Sequence, residues 1–186
     1  MVYIINNIRI SHIIYIYIMN STIDLIGSYG PSIVYIYANV LYLYLKNFEL
    51  LYIYNFGFFI GIILNLVLKG IIKQPRPSQN INDFESDVMN GRRFSIRNGM
   101  MHDIFGMPSG HTTITVYTLL FIFFTVSSKL NFYILLSIVA ITMYQRVAYM
   151  HHTSMQVFVG FMVGSLYAIL VYVLYKKKYL KIMDNL

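Results

Sequence analysis

Pro108-Ser109-Gly110-His111 opens directly into the apolar run of residues 112–126, so a polar loop meets a membrane helix at a point suited to gripping an anion. A helix N-terminus presents unpaired backbone N–H groups and the positive end of the macrodipole. Gly110 lets the backbone approach a ligand closely, Ser109 adds a hydroxyl donor, and Pro108 is tolerated in the first turn. His111 stands beside that position as a group able to move a proton near neutral pH. Four residues also fit an ordinary helix start, so the reading depends on whether further anion-holding groups arise elsewhere.

Composition sets the class. The 186 residues are 58% hydrophobic and 11% charged, with a mean hydropathy of +0.61. Soluble domains carry about 25% charged residues, so the chain reads as an integral membrane protein. The net charge of +7 admits a nucleic-acid partner in principle, but the basic residues sit between apolar spans, where flanking a membrane is the better account. No nucleic-acid partner and no obligate protein partner is expected. The absence of cysteine excludes disulfides, thiolate metal sites and a Cys nucleophile. No repeat, no second soluble domain and no cleavable signal peptide is evident, which gives one domain over residues 1–186.

Six apolar segments follow in order, against the roughly 20 residues a spanning helix needs. Residues 13–27 are interrupted by Asn20, Ser21, Thr22 and Asp24; residues 31–45 are short and tyrosine-rich. Residues 50–68 and 153–175 are good spans, and residues 112–126 and 130–144 form a helical hairpin through Ser127-Ser128-Lys129. The tyrosines partly serve as interfacial anchors. The expected fold is all-α: a polytopic membrane helix bundle of five to six transmembrane helices with one long polar loop, residues 69–107.

The middle of that loop, residues 80–98, reads as ordinary solvated chain, but its ends do not. Lys69 and Arg76 are seven apart, near two helical turns, and Pro77 pushes Arg76 out of helical conformation toward the loop mouth. A third cluster joins the fifth span to the sixth: Gln145, Arg146, His151, His152 and Gln156. His152, Gln156, Gly160 and Gly164 recur every four residues, a stripe suited to close helix packing inside the bundle. His151 is read as structural. Alternation of spans brings the ends at Lys69, Pro108, Arg146 and His152 to one membrane face. Three cations and two histidines without a carboxylate cluster suit phosphoryl transfer through a phosphohistidine, with no metal or other cofactor.

Lys69-x6-Arg76-Pro77, Pro108-Ser109-Gly110-His111 and Arg146-x5-His152 together resemble the three-part signature of the type-2 phosphatidic acid phosphatase superfamily, across about residues 50–175. Ile72-x-x-Pro75-Arg76-Pro77, Gly106-Met107-Pro108-Ser109 and His152-Thr153-x-x-Gln156-Val157 look most like its dolichyl-diphosphatase branch. The resemblance implies His152 as nucleophile and His111 as the acid, then base. It implies Lys69, Arg76, Ser109, the Gly110 amide and Arg146 as holders of phosphate oxygens. Two positions depart from the usual pattern: Gln145 stands for Ser, and Gln156 for an Asp that would orient the nucleophile. Gln156 accepts the same bond without adding charge.

The expected function is hydrolysis of an isoprenoid diphosphate such as dolichyl diphosphate. The alternatives are a broad phosphatidate or lipid monophosphate phosphatase and a catalytically silent membrane scaffold. By the positive-inside rule Lys176-Lys177-Lys178, abutting the sixth span, belongs in the cytoplasm. With six spans both termini are then cytoplasmic and the site faces the lumen or exterior, in the endoplasmic reticulum if the dolichyl resemblance holds.

Overall fold

The computed structural model describes the backbone of residues 2–97 and 100–183, with side chains for residues 21–95 and 102–178. Five long helices form the bundle: α1 (Val2–Tyr44), α2 (Phe48–Ile72), α4 (Gly110–Val126), α5 (Lys129–Ala148) and α6 (Ser154–Met183). A short helix, α3 (Ile81–Met89), and a two-stranded antiparallel hairpin, β1 (Phe94–Arg97) and β2 (Met100–Asp103), lie between α2 and α4. Among the described residues three helices are long and apolar enough to cross a membrane, Phe48–Ile72, Lys129–Ala148 and Ser154–Lys178, and Gly110–Val126 is a shorter apolar helix.

α4 runs through the centre because it is apolar on every side, as a surrounded helix must be. Its threonines do not break that pattern: Thr115, Thr118 and Thr125 bond back to the carbonyls of His111, Ile114 and Phe121. α6 meets it through glycines. A Cβ on Gly160 would stand 2.7 Å from the Ser109 carbonyl oxygen, and one on Gly164 only 2.4 Å from that of Thr113. Ser127 (φ 49°) ends α4 in the left-handed region, and the Ser128 hydroxyl caps α5 by accepting from the Asn131 N–H at 3.4 Å, which makes the expected hairpin.

The tyrosines divide. Tyr42, Tyr54 and Tyr117 are wholly buried, with Tyr54 and Tyr117 stacked at 5.9 Å, and their hydroxyls meet Thr125, Thr118 and the Tyr54 carbonyl respectively. These are core residues whose hydroxyl is satisfied inside the bundle, so only the exposed ones, such as Tyr44 and Tyr52, suit an anchoring role.

Two expectations are corrected. Residues 13–27 and 31–45 are not separate segments: α1 passes through both, with Pro31 inside it. Ser28 lies at the His111 end of α4 and Tyr42 at the Thr125 end, so α1 traverses the bundle once between them. The part of α1 before Asp24 therefore lies on the site side, which takes Arg9 out of the set of basic residues at the far end. The middle of the long loop, expected as ordinary solvated chain over residues 80–98, is also no plain solvated chain. Arg93 donates to the Leu66 carbonyl at 2.6 Å and pairs with Asp103 at 3.2 Å, while Phe84, Ile104 and Phe105 form a small second core.

Candidate active site

α2 ends at Ile72, where Lys73 turns left-handed (φ 49°) and bonds back to Lys69. Arg76 therefore does not share a helix face with Lys69; it reaches the same cavity because the chain folds back after the C-cap. That cavity, of about 640 Å³, lies at the loop end of the bundle. Its polar end is lined by Lys69, Arg76, Gly110, His111, Arg146, His151 and His152. Ser28, Asn65, His102 and Asp103 add further polar lining, and Pro31 of α1, Phe58, Ile62 and Leu66 of α2, and Ile114 of α4 supply an apolar part.

Six of the eight residues singled out in the sequence thus meet around one space, and Ser109 and Gln156 stand behind it. Ser109 is fully buried; its N–H donates to the Gln156 carbonyl at 3.0 Å and its hydroxyl accepts from Thr112 at 3.1 Å. Gly110 and His111, in the first turn of α4, line the cavity, and amides at a helix start suit an anion.

Gln156 is a junction. Its Oε1 accepts from His152 Nδ1 and from the Thr153 N–H, both at 3.2 Å. Its Nε2 donates to Gln74 Oε1 at 2.9 Å and to the Pro75 carbonyl at 2.7 Å. A carboxylate at this position accepts but cannot donate, so it would face two acceptors without a proton between. Glutamine is the side chain that binds the histidine and the α2 exit together. With Nδ1 held as a donor, the His152 nitrogen left for chemistry is Nε2.

The local charge is strongly positive. His152, 2% exposed, has its pKa drawn down to about 2, first by burial and then by Arg76, Arg146 and Lys69, with the Gln156 bond opposing. Its imidazole is neutral, the form that can attack. His151 is shifted down too, by burial and then Arg146 and Arg76. Lys69 is held twice: Nζ donates to the Phe105 carbonyl at 2.7 Å and makes a long ion pair with Asp103 at 3.9 Å. His111 Nε2 lies 3.1 Å from the Ser28 carbonyl, so Nε2 carries the proton and Nδ1 is the nitrogen left open.

Several contributors escaped the sequence reading. Asn65 lines the cavity one turn before Lys69 and donates to Thr113 at 3.2 Å. Asp103 holds Arg93 and the Phe105 N–H, and with them the strand that bounds the site. Asp24 and Ser28 approach from α1, a helix without a recognisable motif; Asp24 interrupting an apolar run was the one signal pointing to them.

A family model described as the PAP2 superfamily matches residues 50–180, from the start of α2 through most of α6. No curated protein and no solved structure gives a significant match.

Proposed function

Because the chain belongs to the PAP2 superfamily, and that membership implies phosphatase activity on lipid phosphates, we propose that it hydrolyses an isoprenoid diphosphate such as dolichyl diphosphate through a phosphohistidine, without a metal. The supporting observation is the two-part lining of the cavity. Cations and histidines at one end fit a phosphate, and the apolar walls from Pro31 to Ile114 fit a chain that stays among the helices. A water-soluble phosphate ester would have no use for the second part.

His111 acts as acid in its doubly protonated form, with Nε2–H kept on the Ser28 carbonyl and the second proton on the open Nδ1. His152 Nε2 attacks the terminal phosphorus as the bridging P–O bond breaks, and the His111 Nδ1 proton passes to the departing lipid monophosphate. Water then attacks the phosphorus, its proton returns to His111 Nδ1, and the P–N bond breaks to release inorganic phosphate with His152 restored. Lys69, Arg76, Arg146 and the Gly110 amide hold the equatorial oxygens, where charge gathers in the transition state. Ser109 supports this set from behind by fixing the loop to Gln156. Gln156 keeps His152 in the tautomer that presents Nε2.

The site end faces the lumen or exterior, since Lys176, Lys177 and Lys178 flank the other end, where Lys178 meets Glu49 at 3.8 Å. An acceptor for glycosylation placed in residues 80–98 should be modified, and one placed after Lys181 should not; the opposite pattern reverses the orientation. For the substrate, purified protein should turn over dolichyl diphosphate faster than phosphatidate, undiminished in chelator. Preference for phosphatidate would favour the broad lipid phosphatase, and no turnover of either would favour the silent scaffold.

A further inference from the structure

We propose that the turn of α1 carrying Asp24 and Ser28 is a positioning element of the active site: it aims Arg146, through Gln145, and His111 at the substrate phosphate. This rests on the phosphohistidine reading above. α1 lies before the matched residues 50–180, yet this one turn reaches two of the groups that line the cavity.

Gln145 is fully buried between α1 and α5. Its Nε2 donates to Asp24 Oδ1 at 2.8 Å and to the Ser28 hydroxyl at 3.1 Å, and that hydroxyl donates to Asp24 at 3.3 Å. Its Oε1 accepts from Arg146 Nη1 at 3.4 Å. The carboxamide therefore stands as a neutral spacer between a carboxylate and a guanidinium. A direct Asp24–Arg146 pair would occupy the guanidinium fork in a bidentate bond. With Gln145 between them, Asp24 fixes the direction of Arg146 while most of the fork stays open to an anion. Arg146 Nε is buried with no hydrogen-bond partner among the described residues, as expected of a donor held for a ligand.

The glutamine needs its length to reach α1, which gives the departure from serine at this position a physical purpose. It also needs room. A Cβ on Gly27 would lie 2.3 Å from that of Gln145, and one on Gly30 would lie 2.2 Å from the Thr142 hydroxyl, so α1 and α5 meet backbone to side chain. The same turn offers the Ser28 carbonyl to His111 Nε2 at 3.1 Å. Pro31, three residues on, lacks the N–H that would bond the Gly27 carbonyl and loosens the helix there. One turn of α1 thus sets both the arginine that holds phosphate and the histidine that moves protons.

The test uses the full chain in detergent micelles, with inorganic phosphate binding followed by calorimetry and hydrolysis of an isoprenyl diphosphate measured alongside. Gln145→Ala should weaken phosphate binding and lower kcat/KM by about tenfold, the size of one hydrogen bond to a charged group. In an Arg146→Lys background, which lacks the Nη that meets Gln145, the same change should add almost nothing. If Gln145→Ala does not fold, Asp24→Asn keeps the shape, removes the charge and carries the same comparison. Undiminished phosphate binding in the folded variant, or an equal loss in the Arg146→Lys background, overturns the proposal. Coupling of Gln145 to Arg146 in phosphate binding, in a wild type that hydrolyses no lipid phosphate, would instead overturn the phosphohistidine reading and leave the positioning role standing.

Discussion

His152 and His111, the two histidines proposed to carry the chemistry, are held in different ways. His152 is fixed by a closed network: Gln156 ties it to Gln74, Pro75 and Thr153, and the Gln156 carbonyl in turn takes the Ser109 N–H. Every partner lies within the residues that match the family model. Among the described residues the His111 ring bonds one group, the Ser28 carbonyl, supplied by a helix outside that match. The half of the site around His152, the proposed nucleophile, is self-contained, whereas the half proposed to move protons through His111 and hold phosphate through Arg146 depends on how closely α1 packs against α5.

This contrast orders the expected effects. His152→Ala should reduce turnover to background, because no other nitrogen in the cavity is presented through the same network. His111→Ala should slow the reaction by about 10²–10⁴-fold, the usual worth of general acid–base help, with little loss of phosphate binding. Equal effects from the two, measured as kcat, would erase the difference between the halves. Gln156→Glu should lower kcat by about tenfold or more and lower stability by about 1–3 kcal/mol, since two acceptors, Gln74 Oε1 and the Pro75 carbonyl, lose their donor. Gln156→Ala should lower kcat with a modest change in KM; kinetics identical to wild type would reduce Gln156 to a packing residue. Gly27→Ala should cost about 1–3 kcal/mol of stability by forcing α1 off Gln145, and should disturb His111 and Arg146 rather than His152.

Acidity acts on stability rather than on turnover. The folded site keeps His152 from a proton that the unfolded chain accepts below the ordinary value of 6.5, so this stabilisation is present above 6.5 and is lost as the pH falls toward about 2. The slope is at most about 1.4 kcal/mol per pH unit. A thermal melt of His152→Ala should lose part of that acid sensitivity. A His152→Ala melt as acid-sensitive as wild type would place the effect elsewhere.

Much of the site was legible because its chemistry is written in short local patterns. Pro108 to His111 announces a helix start, Pro75 and Pro77 announce a helix end, and the stripe of Gln156, Gly160 and Gly164 announces the face that packs on α4. The spacing argument for Lys69 and Arg76 reached the right cavity for the wrong reason, as α2 stops at Ile72 and the two arrive by a chain reversal. What stayed hidden depends on contacts distant in sequence. Gln145 meets Asp24 across 121 residues, and no periodicity reports such a pair. Arg93 looked like a loop cation, yet its guanidinium caps the Leu66 carbonyl and stacks over Phe105. The unity of α1 was obscured by Asn20, Ser21, Thr22, Asp24 and Pro31, polar or helix-breaking residues that α1 nevertheless contains. Of these, Asp24 faces Gln145 rather than lipid.

The central claim is that phosphorus becomes bonded to His152 Nε2. Brief reaction of the wild-type protein with an isoprenyl diphosphate labelled in its terminal phosphate, quenched in alkali with chelator present throughout, should leave acid-labile phosphate on the peptide carrying His152. The His152→Ala protein should carry none, and in His111→Ala the label should both form and disappear more slowly than in wild type, because His111 serves both steps. Label retained in His152→Ala, or rapid turnover in that variant, would contradict the account.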